Sequence, residues 1–149
     1  TKILYRGDDC SNAIRSEACG VAASKIAVYE SVRSELLSCQ RNFAVLPGLI
    51  ADGRDMGTVV FPAADLKIFL TATSEERASR RYKQLIKKGI DASLPALLRD
   101  IRERDERDIN RAQSPLKASD DAVLIDTSNL GIEEVMLKVR QIVKIRGLA

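Results

Sequence analysis

Residues 46–70 read LPGLIADGRDMGTVVFPAADLKIFL, and this stretch decides the fold class. Pro47-Gly48 stops any helix that runs into it. Leu49-Ile50-Ala51 is a brief, continuously apolar strand pattern leading into Asp52-Gly53-Arg54-Asp55, and 66–70 (LKIFL) is a second strand. Farther along, 122–125 (AVLI) gives a third, ending in Asp126-Thr127-Ser128. Strands this short and this uniformly apolar are expected to be buried on both faces, the mark of a parallel sheet flanked by helices. The expected class is α/β. In such sheets ligands bind beyond the carboxyl ends of the strands, which is where 52–55 falls.

On the N-terminal side, 2–6 (KILYR) is a short alternating strand ended by the turn signal Gly7-Asp8-Asp9. Ser11 or Asn12 caps a helix with Ile14, Ala18, Val21, Ala22 and Ile26 on one face, and a second helix covers 30–44. On the C-terminal side, Ser74 caps a helix with Glu75 and Glu76 in its first turn and Lys87-Lys88 in its last, charges that suit the helix dipole at both ends. Ser93 caps a longer helix reaching about 111, with Pro95 tolerated in its first turn. An amphipathic helix over 131–146 closes the chain.

Composition narrows the chemistry. The 149 residues make one domain, 45% apolar and 30% charged, as in a soluble globular protein. The absence of His removes His-based triads, HExxH zinc sites and any imidazole base. The absence of Trp, with only six other aromatics, weakens the case for base stacking on aromatic platforms. No apolar run is long enough to span a membrane. Cys10, Cys19 and Cys39 have no CxxC spacing and no His beside them, so they read as the reduced thiols of a cytoplasmic protein. Thr1 is not an initiator Met, which suggests either a processed start or a piece of a longer chain.

Net charge is only +3, yet eight of the fifteen arginines lie between Arg77 and Arg111. Solvated helices laced with ion pairs account for that count, and so does anion recognition. Asp52-Gly53-Arg54-Asp55 is either a surface turn or a ligand loop offering two carboxylates and a guanidinium. The helix after Ser93 is sharper. Leu94, Leu97, Leu98 and Ile101 define an apolar stripe, and at one hundred degrees per residue Asp105 and Asp108 continue it, with Arg104 and Arg111 along one edge. Charges that extend a core stripe need partners or a polar cleft, which points to ligand-facing roles for Arg104, Asp108 and Arg111. The helix from 75 to 88 has Leu85 and Ile86 as its only large aliphatics, so it is weakly packed and able to move. An Arg-bearing hairpin closing on phosphates and a salt-bridged surface hairpin fit it equally. No window matches GxxxxGK[ST] or GxGxxG.

Together, 46–70, Ser74-Glu75-Glu76-Arg77-Ala78, 102–111 (RERDERDINR), Ile14-Arg15-Ser16 and Ala22-Ala23-Ser24 resemble the bacterial-type cytidylate kinase (CMP/dCMP kinase) family over nearly the whole chain. The resemblance implies a P-loop nucleoside-monophosphate-kinase fold, incomplete at its N-terminus because the phosphate-binding loop has no counterpart here. It implies that 1–45 is the end of the cytosine-binding insertion and that 46–149 is the C-terminal part of the kinase core, with a lid at about 74–92. Ser24, Arg33 and Asp55 match positions that read the cytosine ring. Arg54 and Arg111 match phosphate-binding arginines, and Arg104 and Asp108 the pair near the sugar. Arg77, Arg80 and Arg81 fall in the lid that closes on the ATP phosphates. Asp52 sits where related kinases hold the magnesium water shell, and no residue is assigned as a direct metal ligand. The implied activity is ATP- and Mg²⁺-dependent phosphorylation of CMP or dCMP by a cytoplasmic monomer that binds neither nucleic acid nor membrane. Arg54, Arg104, Arg111 and Asp52 are its expected catalytic set. The alternative is a catalytically inactive domain that keeps monophosphate affinity. An RNA-binding module built on 77–111 ranks last, since the acids at 100, 103, 105, 106 and 108 repel the same backbone.

Overall fold

A computed structural model of the chain describes residues 2–148. It opens with a hairpin in which β1 (Leu4–Tyr5) pairs antiparallel with β2 (Asp8–Asp9). Arg6 and Gly7 turn the chain at φ +52° and +92°, a region glycine enters without steric cost. Alternation over 2–6 signals the first strand alone, because aspartates are poor strand formers. After a 3₁₀ turn at Ala13–Arg15 comes α1 (Glu17–Ile26). Its cap is Ser16, which accepts from the Cys19 N–H at 3.2 Å, in place of the expected Ser11 or Asn12. The next helix, α2 (Glu30–Arg41), stops short of residue 44.

The expected strand at 49–51 does not form. A strand needs a neighbour's N–H and C=O groups, and among the described residues the only parallel ladder joins β3 (Ile68–Thr71) to β4 (Val123–Asp126). Residues 49–51 are exposed instead. They lead into a single π turn, Met56–Val60, in which the Asp55 carbonyl accepts from both the Val59 and Val60 N–H groups. Nothing in apolar spacing signals such a turn.

Strands β3 and β4 run in register from Ile68 opposite Val123 to Thr71 opposite Asp126. A parallel pair requires a crossover, here made by α3 (Ser74–Lys87) and α4 (Leu94–Asn110), which pack on each other. Thr73, not Ser74, caps α3 by accepting from the Glu76 N–H, and Gly89 at φ +71° lets the chain leave it. Last comes α5 (Ile132–Ile145), whose Glu134 carboxylate reaches back to the Gly131 N–H.

Among the described residues, Val60, Ala78, Leu97 and Ile125 are the buried apolar side chains. The expectation of strands buried on both faces does not hold. Ile125 is buried, while its neighbour Leu124 and Leu70 of β3 are exposed, because two strands cannot shield both faces of so small a sheet. No helix among the described residues is long and apolar enough to cross a membrane.

Candidate functional site

The stripe on α4 turns from apolar to charged as its spacing predicts. Leu97 is buried, and three turns on, the Asp108 carboxylate is buried too, only 3% exposed. Ser24 of α1 donates its hydroxyl to Asp108 Oδ1 at 3.3 Å. Arg54 Nε lies 3.1 Å and Arg104 Nε 3.9 Å from Oδ2. Three separate segments therefore converge on one carboxylate. The close approach of α1 to α4 depends on Gly20, where an added Cβ would stand 3.3 Å from the Arg104 guanidinium. A glycine inside a helix costs about 1 kcal/mol relative to alanine, so its presence is itself a signal of such packing.

Beside this cluster lies a second. Asp55, also buried, forms an ion pair with Arg33 of α2. Arg41, at the end of the same helix, donates from Nε to the Val60 carbonyl (3.0 Å) and from Nη2 to the Val59 carbonyl (3.1 Å). Arg111 follows α4 with extended backbone, is 9% exposed, and donates from Nε to the Ser114 carbonyl at 2.6 Å. Burial, then the neighbouring Arg33, pulls its guanidinium below the ordinary arginine value, and Arg54 adds to this while Asp55 and Asp108 oppose it. Four arginines thus crowd two carboxylates. Asp108 Oδ2, Arg104 Nε and Arg111 Nη2 are buried without a hydrogen-bond partner among the described residues; the Arg54 and Arg104 contacts to Asp108 are ion pairs not aligned as hydrogen bonds. Buried polar atoms are as a rule bonded, and these three fall together in the cluster, while Arg81 Nε and Arg107 Nε are unbonded outside it. A cavity of about 320 Å³ adjoins Arg33 and Asp55, walled by Ala23, Ile26, Leu37, Val59 and Gln113.

The remaining expected site residues lie elsewhere. Arg77 pairs with Asp105, whose hydrogen bonds raise the guanidinium above its ordinary value, and also donates to the Ala72 carbonyl. Arg80 pairs with Glu76 and donates to Thr127 Oγ1 and the Leu130 carbonyl. Ala78 between them is fully buried, so α3 is pinned at this end despite its polar sequence. Arg81 pairs with Glu17 and, with Arg15, Lys88 and Leu85, lines a separate cavity of about 490 Å³. Asp52 is exposed, and no group of three or more Cys, Asp or Glu among the described residues is placed to hold a metal ion. Sequence patterning also passes over Gly20 and Arg41, the latter indistinguishable from an ordinary cation at a helix end.

The sequence model of the cytidylate kinase family matches residues 1–145. A cytidylate kinase of Shewanella denitrificans is 57% identical over 143 residues, covering 96% of this chain and 63% of the relative. One from Aeromonas salmonicida is 57% identical over 138 residues (93% and 60%), and one from Shewanella halifaxensis 56% over 135 (91% and 59%). The chain spans about three-fifths of the length of these curated relatives.

Proposed function

The chain belongs to the cytidylate kinase family, and from that premise we propose that it carries the acceptor site and lid of an ATP-dependent kinase converting CMP or dCMP to the diphosphate. The family's fold is the P-loop nucleoside-monophosphate-kinase fold, to which the parallel β3–β4 pair and its helices belong. The observation that carries the proposal is the convergence of Ser24, Arg54 and Arg104 on buried Asp108, with Arg33–Asp55 and Arg111 alongside. Four guanidiniums against two carboxylates leave a cationic surplus, which suits a phosphate monoester.

In this reading Ser24, Arg33 and Asp55 recognise the cytosine ring next to the 320 Å³ cavity, where amide-like hydrogen bonding separates cytosine from uracil. Arg54 and Arg111 hold the acceptor phosphate. Arg104 steadies the sugar, and Asp108 accepts a hydrogen bond from a ribose or deoxyribose hydroxyl. Residues 1–45 form the end of the cytosine-binding insertion, and 46–149 the C-terminal part of the core with its lid at about 74–92. Arg77, Arg80 and Arg81 of that lid meet the phosphates of ATP. Transfer is in line, with arginines stabilising the charge that spreads over the moving phosphoryl group and no covalent enzyme intermediate. The donor would be ATP carrying Mg²⁺ on its phosphates, and the setting a reducing cytoplasm, in keeping with three free cysteines.

A second reading is favoured by one observation: no GxxxxGK[ST] occurs in the 149 residues. Without that loop nothing in the chain cradles the donor phosphates, so the chain by itself binds monophosphate without meaningful turnover. A coupled kinase assay giving normal turnover would refute this. The acceptor site is tested by calorimetric titration with CMP, UMP and AMP. CMP should bind tightest, and equal or absent heats for all three would overturn the proposal.

A further inference from the structure

The π turn Met56–Val60 follows directly on Arg54-Asp55, the residues that face Arg33 and Asp108, so whatever fixes the turn fixes the site. Its C-terminal carbonyls are the weak point. The end of any helical turn leaves C=O groups without intrahelical donors, and Val60 is 2% exposed, so its carbonyl has little access to water. Arg41 answers both carbonyls with the two-pronged edge of one guanidinium, Nε to Val60 and Nη2 to Val59. Arg33 stands eight residues earlier on the same helix, about 12 Å along its axis, and pairs with the Asp55 carboxylate at the opposite end of the turn. A single rigid helix thus grips the Asp55–Val60 segment at both ends.

We propose that Arg41 is a positioning residue for recognition of the acceptor base: by clasping the Val59 and Val60 carbonyls it sets where Asp55 lies. This rests on the acceptor-site reading above. Arginine suits this position better than lysine, whose ammonium is a point charge that cannot match two adjacent carbonyls with one planar edge. The side chain never touches the nucleotide in this account and acts only through the backbone of the turn.

The test uses the 149-residue chain as wild type, Arg41→Ala and Arg41→Lys, with two readouts. Without nucleotide, amide hydrogen exchange at Val59, Val60 and Phe61 should rise in Arg41→Ala and by less in Arg41→Lys. With nucleotide, the preference for CMP over UMP should fall by about tenfold in Arg41→Ala, with Arg41→Lys in between. A purely structural arginine would instead weaken CMP and UMP in parallel while lowering the melting temperature, and that result would overturn the proposal. Unchanged exchange in Arg41→Ala would overturn it as well. If wild type binds no CMP, the acceptor-site reading itself fails and the positioning role falls with it. That outcome is distinct from either result obtained on a wild type that binds.

Discussion

Asp108 puts a carboxylate at the end of an otherwise apolar helix stripe, and its neighbours explain why burial there is tolerated. Arg54 and Arg104 supply opposite charge, and the Ser24 hydroxyl supplies a hydrogen bond. Removing the carboxylate leaves two guanidiniums facing each other, although both are more than a third exposed and water screens them. Asp108→Ala should therefore destabilise the chain by about 1–2 kcal/mol, a drop of several degrees on thermal melting. An unchanged melt would mean that the cluster contributes nothing to the fold. This residue was legible in the sequence because a charge in a core stripe demands a partner. Asp105 lies in the same stripe yet serves another purpose, pairing with Arg77 of α3. Periodicity gives the face of a residue and not its partner, so the two aspartates could not be told apart from spacing. Gly20 and Arg41 went unread for the same reason: each matters through one neighbour that lies far off in sequence.

At the scale of elements, the helices follow from caps and periodicity, and what differs is mostly the capping residue. Thr73 in place of Ser74, or Ser16 in place of Ser11, moves a boundary by a few residues without moving a face. The segment 49–51 shows where patterning stops: an apolar run marks what wants burial, but a strand exists only where a partner offers a ladder. Element ends also set the response to acid. The Glu75 carboxyl, in the first turn of α3, is held below its ordinary value by its own backbone N–H and by Arg102. Asp126, at the end of β4, is lowered by the Ser128 hydroxyl, and Asp121 by Lys67 and Ser119. A carboxyl whose folded value is depressed adds stability that is complete above its unfolded value, about 4, and lost as pH falls through the folded value. With no histidine in the chain, melting temperature should stay flat from about pH 5.5 to 7.5 and fall below about pH 4. Asp121→Asn should make the acid decline shallower, as read by melts across pH. A decline beginning near pH 6 would contradict the assignment.

Across the whole molecule, the class and the site were legible to different depths. Short apolar strands joined through helices give α/β directly, and the parallel β3–β4 ladder bears this out. The buried extent of that sheet was not legible, because Leu70 and Leu124 carry the same apolar pattern whether or not anything covers them. The site gathers residues from α1, α2, the 52–60 segment and α4, an assembly that no local pattern contains. What unites it is charge, with four arginines around two buried aspartates and three buried polar atoms left with bonding capacity. The most direct measurement is a calorimetric titration of CMP into the wild-type chain and Asp108→Asn side by side. The substitution keeps the shape of the side chain and removes its charge and one acceptor oxygen. An acceptor site centred on Asp108 predicts CMP binding to wild type and a loss of at least about tenfold in the variant, with little change in helix content. Equal CMP affinity in the two proteins would contradict it.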